Sequence, residues 1–141
     1  MTFLLDTNVV SEWVRPAPDR GVVEWLAEVD EDRVFISVMT LAELRYGIER
    51  MPAGRRRRRL DEWLRDDLIA RFDGRMLPMD TAVAEAWGTM MARSQALGRP
   101  MGVADGFIAA TAEVHGLALV TRNASDFEAA VKTIVNPWTG R

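Results

Sequence analysis

The chain has no cysteine and a single histidine, His115, in 141 residues. The first absence excludes disulfides, thiolate-bound zinc and thiol catalysis, and the second excludes a cluster of imidazole ligands. Freedom from cysteine suits a reducing compartment, and the expected location is the cytoplasm. No run of about 18 apolar residues is present, so no segment reads as a membrane span. The start, Met1-Thr-Phe-Leu-Leu-Asp6, has neither the basic region nor the apolar stretch of an export signal. Excess positive charge is also lacking: 18 Lys+Arg against 21 Asp+Glu leave a net −3, so no global field draws in nucleic acid or an anionic membrane. A polyanionic partner must be held locally, by a basic patch or a metal. No internal repeat, low-complexity linker or domain boundary appears, and the length suits one domain over residues 1–141.

What is present is a regular alternation of short apolar runs with amphipathic stretches. Phe3-Leu4-Leu5 reads as a strand, with Val9, Val10, Trp13 and Val14 at helical spacing after it. Pro16 and Pro18 interrupt, and Val22, Val23, Leu26 and Val29 mark a second helix. Val34-Phe35-Ile36 is the next strand. Ser37 stands where a cap belongs, followed by a stripe of Leu41, Leu44 and Ile48. A helix through Leu60, Trp63, Leu64, Leu68 and Phe72 precedes a strand at 76–79. Asp80 then caps a helix that stops at Gly98. A helix over about 104–115 ends at Gly116, a left-handed cap. Leu117 to Val120 is a buried strand, and Thr133-Ile134-Val135 an edge strand. Strands that are continuous apolar runs, each followed by helix, predict a parallel sheet covered on both faces. Ligands bind such sheets beyond the carboxyl ends of the strands.

Acidic residues fall at those ends. Asp6 follows the first strand, Glu43 lies in the helix after the second, Asp105 opens the helix before the fourth, and Asp126 follows the fourth, with Asn123 between. Carboxylates and an amide carbonyl suit a hard divalent cation such as Mg²⁺ or Mn²⁺. Two carboxylates about 5 Å apart repel by roughly 3 kcal/mol at an effective dielectric of about 20, so a cluster needs a cation. A divalent ion relieves that repulsion, acidifies its water and neutralises phosphate charge, which is the recipe for phosphodiester hydrolysis. A structural reading stands beside this one. Asp6, Asp105 and Asp126 are all placed to serve helix N-termini, and Thr40 with Glu43 has the spacing of a capping box, which fails if Ser37 is the cap.

Four blocks, Asp6-Thr-Asn-Val-Val-Ser-Glu12, Leu41-Ala-Glu-Leu-Arg-Tyr-Gly47, Ala104-Asp-Gly-Phe-Ile-Ala-Ala-Thr-Ala112 and Val120-Thr-Arg-Asn-Ala-Ser-Asp-Phe127, resemble the motifs of PIN-domain ribonucleases. They look most like the toxins of bacterial VapBC and FitAB toxin–antitoxin modules. The ending Asn136-Pro-Trp138 resembles the FitB-type branch. The resemblance spans essentially the whole chain, in order. It implies a three-layer α/β/α sandwich with a central parallel sheet, and a Mg²⁺- or Mn²⁺-dependent endoribonuclease that cuts RNA with a metal-activated water. It also implies a homodimer and a cognate antitoxin protein whose peptide covers the site, with DNA contacted only through that antitoxin. Asp6, Glu43 and Asp105 match the acidic triad, with Asp6 and Asp105 as direct metal ligands. The fourth position departs from the strictest pattern: Asn123 stands where many relatives have Asp, and whether Asp126 substitutes is open.

Arg55 to Arg59 is the strongest charge feature. Five consecutive helical residues sweep about 500°, so they cannot all face one groove. Arg57 with Asp61 and Arg58 with Glu62 have ion-pair spacing, which makes a solvated helix start the alternative to a patch for RNA phosphates or the antitoxin. Of five tryptophans, Trp25, Trp63 and Trp87 fall on apolar stripes and are assigned to core or dimer interface, while Trp13 and Trp138 are left unassigned. The competing functions are another metal-dependent nuclease or phosphatase using the same carboxylates, and a non-catalytic nucleic-acid- or protein-binding domain in which the acids only cap helices.

Overall fold

The apolar runs form strands that differ only in which face each side chain serves. A computed structural model describes residues 1–139; the last two residues of the expected 1–141 domain lie outside the described residues. β1 (Phe3–Leu5), β2 (Val34–Ser37), β3 (Met76–Leu77), β4 (Ala118–Val120) and β5 (Ile134–Val135) make one sheet in the order β3-β2-β1-β4-β5. Every neighbouring pair is parallel. Successive strand residues point to opposite faces, so Leu5 and Ile36 bury in one apolar cluster and Leu4 and Leu119 in another. The first cluster lies under α1 (Thr7–Glu12), α2 (Arg20–Glu28), α3 (Val38–Glu49) and the helical stretch from α4 (Arg55–Glu62) to α5 (Ile69–Arg71), and includes Val9, Val22, Ile48, Leu64 and Phe72. The second lies under α6 (Thr81–Ala96), α7 (Val103–His115) and α8 (Ala124–Phe127), and includes Met90, Ile108 and Phe127. Each fully buried Leu or Phe contributes roughly 1.5–3 kcal/mol. The α/β/α sandwich expected from the sequence is the one formed.

Local differences have local causes. β3 stops at Leu77, not at Met79, because Pro78 has no N–H to donate to a ladder. The single helix expected through Phe72 is π-helical over Trp63–Leu68. An α-helix rotates residues four apart by about 40°, and through the wider turn Leu64, Leu68 and Phe72 remain on the buried side. α8 begins at Ala124, ahead of Asp126, with Asp126 N donating to Asn123 O at 3.0 Å. Asp126 is therefore inside the helix and does not cap it. Trp25, Trp63 and Trp13 pack on the first cluster, and Trp138 is buried within it. Trp87 belongs to neither cluster: its ring stacks on Phe107 at 4.9 Å and its Nε1 donates to Val103 O.

The C-terminal segment is strapped to α2. The Asp19 carboxylate caps α2 through the N–H groups of Gly21 and Val22, and also accepts from Thr139 N at 3.2 Å and Thr139 Oγ1 at 2.7 Å. Glu12, almost wholly buried, holds the preceding turn by accepting from Asp19 N at 2.8 Å. Pro137 crosses so close to α2 that a Cβ at residue 21 would sit 2.2 Å from its carbonyl oxygen. Gly21→Ala should therefore cost about 1–3 kcal/mol and release the strap. Urea melts together with amide exchange at Trp138 would show it, and an unchanged midpoint would contradict the close approach.

Candidate active site

β1 is where the sheet's strand order reverses, and in such folds ligands bind beyond the carboxyl ends of the strands at that point. Asp6 sits there. Its N–H donates to Val120 O at 2.9 Å, extending the β1–β4 ladder one residue past the strand, and its side chain is 5% exposed. One carboxylate oxygen accepts from Thr7 N at 2.8 Å, the capping bond of α1. The other accepts from Thr121 Oγ1 at 2.7 Å and from Asn8 Nδ2 at 3.4 Å. Thr121 in turn accepts from Asn123 N at 3.0 Å, and Asn8 Oδ1 accepts from Arg122 N at 3.4 Å. Asp6 is thus both the cap and a side chain held for another purpose.

Glu43 is set by the start of α3. Ser37 Oγ accepts from Met39 N at 3.0 Å and is the cap, so the Thr40–Glu43 capping box does not form. Glu43 instead points its Oε1 at Thr7 Oγ1, 2.6 Å away. That hydroxyl also lies 3.1 Å from Thr40 Oγ1; having one proton, it donates to the carboxylate and accepts from Thr40. Asp105 lies in the first turn of α7, partly buried. Asp126 is exposed on α8.

Asp6 and Asp105 each feel neighbouring carboxylates. Burial is the largest cause raising the Asp6 pKa from 3.8 to about 6, opposed by its bonds from Thr121 and Thr7 and reinforced by the charges of Asp105 and Glu43. Burial also raises the Asp105 pKa, with the charges of Glu43 and Asp126 adding to it. No cation offsets these effects: among the described residues none of the four carboxylates makes an ion pair. An all-oxygen, uncompensated acidic group has the chemistry of a hard-cation site. It is not a finished one, since among the described residues no three His, Asp or Glu side chains are gathered tightly enough to hold a metal ion as they stand.

Asp6 thus lies within electrostatic range of Glu43 and Asp105, and Asp105 within range of Glu43 and Asp126. Asn123 is exposed, and its backbone alone joins the network, through Thr121 and Asp126. Sequence reasoning did not single out Thr7 and Asn8, although both lie in the Asp6 block; the signal was a hydroxyl and an amide directly after a strand-end acid.

The PIN domain sequence profile matches residues 3–132. The chain belongs to the PIN-domain family. Relatives of this PIN domain include the VapC ribonuclease Y4jK of Sinorhizobium fredii, 42% identical over 96% of each chain. The toxin FitB of Neisseria gonorrhoeae is 40% identical over 96% of this chain and 97% of its own. The structure of FitAcB from Neisseria gonorrhoeae superposes with a TM-score of 0.92 at 39% identity, covering 98% of this chain and 99% of that one. FitAB bound to an IR36 DNA fragment also gives 0.92, at 37% identity over 97% and 96%. This PIN domain is thus a nuclease of the VapC and FitB ribonuclease-toxin group, a family that generally depends on a divalent metal. No helix among the described residues is long and apolar enough to cross a membrane.

Proposed function

We propose that the chain is the toxin of a type II toxin–antitoxin module, a cytoplasmic Mg²⁺- or Mn²⁺-dependent endoribonuclease. The observation that carries this reading is the uncompensated acidic group at the carboxyl ends of the strands, built from four separate elements and raising the proton affinity of Asp6 and Asp105. Asp6, Asp105 and Glu43 are the metal-holding residues, and Asp126 fills the fourth acidic position better than Asn123, because it is Asp126 whose charge reaches Asp105. When bound, a divalent cation supplies acidified water and offsets charge on the scissile phosphate. The chain's own part is positional. Thr121 and Thr7 N fix the two Asp6 oxygens, and Thr7 fixes Glu43. The reading in which the acids only serve helix N-termini fails at Glu43, since Ser37 caps α3 and Glu43 lies beyond its first turn.

Relatives solved as FitAcB and as FitAB bound to a DNA fragment support a cognate antitoxin as partner; a homodimer as the working form and DNA contact through that antitoxin belong to the same proposal. An antitoxin arginine entering the acidic group would inhibit by taking the cation's electrostatic place. The deciding experiment is cleavage-site mapping on total cellular RNA. Wild type with Mg²⁺ or Mn²⁺ should give defined cuts that EDTA removes and that Asp105→Asn reduces by two orders of magnitude or more. Undiminished cutting by Asp105→Asn would reject the site. A chain that cleaves phosphomonoesters or DNA and leaves RNA intact would reject the substrate.

A further inference from the structure

The outer face of α3 carries side chains that neither the core nor the acidic group uses. Tyr46, the one tyrosine of the chain, is 65% exposed. It stands three residues after Glu43 and four before Arg50, a spacing that puts the three on one face of the helix. The Arg50 guanidinium lies 5.2 Å from the centre of the Tyr46 ring. Gly47 shares that face, and a Cβ there would meet nothing within 4 Å, so the surface beside the ring is open. The row starts at the acidic group and ends seven residues on, about 10 Å along the helix axis.

The first turn of α4 adjoins the far end of this row. Arg45 of α3 pairs with Asp61 at 2.7 Å, and Arg57 pairs with Glu49 at 2.7 Å and donates to Met51 O. The i to i+4 pairs expected for Arg57 and Arg58 do not form; Arg57 turns to α3 instead. Arg55, Arg56, Arg58 and Arg59 are all exposed, and among the described residues they make no ion pair. Their placement is unfavourable for folding. They sit at the positive end of a helix dipole whose cap, Gly54, offers no side-chain acceptor, and they repel one another at i+3 and i+4. A chain with net charge −3 leaves four guanidinia without an ion pair here, although Glu49, Asp61 and Glu62 lie close by in the fold or the helix.

We propose that the outer face of α3 and the first turn of α4 form a track for single-stranded RNA, leading to the acidic group at Glu43. A base stacks on Tyr46, and the phosphates beyond it lie against Arg50 and two or three of the exposed α4 arginines. The proposal rests on the ribonuclease reading and adds the route by which the strand enters. A flat exposed ring followed by cations is the pairing single strands use, stacking for the base and charge for the backbone. An acidic peptide would answer the arginines alone, whereas a nucleotide strand uses both the exposed ring, by stacking, and the charges beyond it.

The test is fluorescence anisotropy of a short labelled single-stranded RNA in EDTA, titrated over a range of salt. Changing Arg55, Arg56, Arg58 and Arg59 together to Gln should weaken binding at least about tenfold at low salt. It should also flatten log K against log salt by about 1.4–2.1, since each phosphate contact on a single strand contributes about 0.7. The variant's melting midpoint should hold or rise, because like charges leave the helix start. Tyr46→Ala should weaken binding about tenfold with the salt slope unchanged. Arg57→Gln, which removes a structural pair, should lower the midpoint and leave the slope alone. Should the fourfold variant not fold, the pairs Arg55/Arg56 and Arg58/Arg59 are changed separately, each expected to lower the slope by about half as much. Wild-type affinity and slope in the arginine variants would overturn the proposal. So would intact RNA binding with loss of affinity for a polyglutamate peptide, which would make the patch a protein contact. The measurement needs no turnover: RNA bound through α4 but never cut would sink the nuclease reading alone, and RNA cut with arginine variants that bind normally would sink this one alone.

Discussion

Asp6→Asn should abolish RNA cleavage and, in EDTA at neutral pH, make the protein more stable. The activity loss should reach at least about 10³-fold, equivalent to about 4 kcal/mol, because the variant removes both a charge and an oxygen ligand at the reacting centre. The stability gain follows from linkage. Asp6 titrates at about 6 in the fold against 3.8 unfolded, so the folded state binds its proton more tightly than the unfolded chain does. Below pH 4 both states are protonated and nothing is lost. As pH rises from 4 to 6 the folded state is progressively penalised, and above 6 the penalty is complete at about 3 kcal/mol. The amide never carries that charge. It must still meet both Thr7 N and the Thr121 hydroxyl, which now has to find an acceptor elsewhere or turn, at a cost of about 1 kcal/mol. The expected net gain is therefore about 2 kcal/mol at pH 7, turning into a loss of about 1 kcal/mol by pH 4. Urea melts in EDTA at the two pH values measure it. An Asn variant less stable than wild type at pH 7, or one with the wild-type pH slope, would show that the buried Asp6 charge does not destabilise the fold.

The second large effect is the response to metal. Cation binding to the folded state alone stabilises by about 2.7 kcal/mol at a hundredfold excess over Kd. For a domain of this size that is a rise of roughly 8–10 °C in the melting midpoint. The same raised pKa makes the rise pH-dependent: at pH 5 Asp6 holds a proton that a cation must displace, so the shift should shrink markedly between pH 7 and pH 5. Asp6→Asn and Asp105→Asn should each lose most of it, and Asp126→Asn part of it, while Asn123→Ala should keep it. A flat wild-type response at high millimolar Mg²⁺ and Mn²⁺ would count against the site. An Asn123→Ala loss equal to that of Asp126→Asn would reassign the fourth position.

Much of this was legible in the sequence because the signals were local. Strand ends followed by a polar residue, Ser37 before a periodic stripe, and Gly116 after one each report a conformation set by a few neighbouring residues, and each forms. The acidic group was legible because strand order puts successive strand ends at one edge. What was hidden depends on contacts far apart in the chain. Nothing near Asp19 announces Thr139, which it binds across 120 residues, and nothing near Arg57 says that Glu49 will outcompete Asp61 for it. The π-helical stretch was hidden for a different reason: Leu64, Leu68 and Phe72 fit an α-helical stripe as sequence, and they are buried whichever turn is used. The roles of Thr7 and Thr121 also needed coordinates, since a hydroxyl after a strand has many ordinary uses.

The bond from Thr121 to Asp6 spans 115 residues, and β1 cannot gain its β4 neighbour until that stretch has been made. At synthesis rates of about 5–20 residues per second this interval lasts roughly 6–23 s. Throughout it Asp6 has no hydroxyl to hold it, and Asp105 emerges only near the end. For that whole interval β1 lacks its β4 neighbour and the Asp6 site is incomplete, and a partner made beforehand has the same interval in which to be waiting.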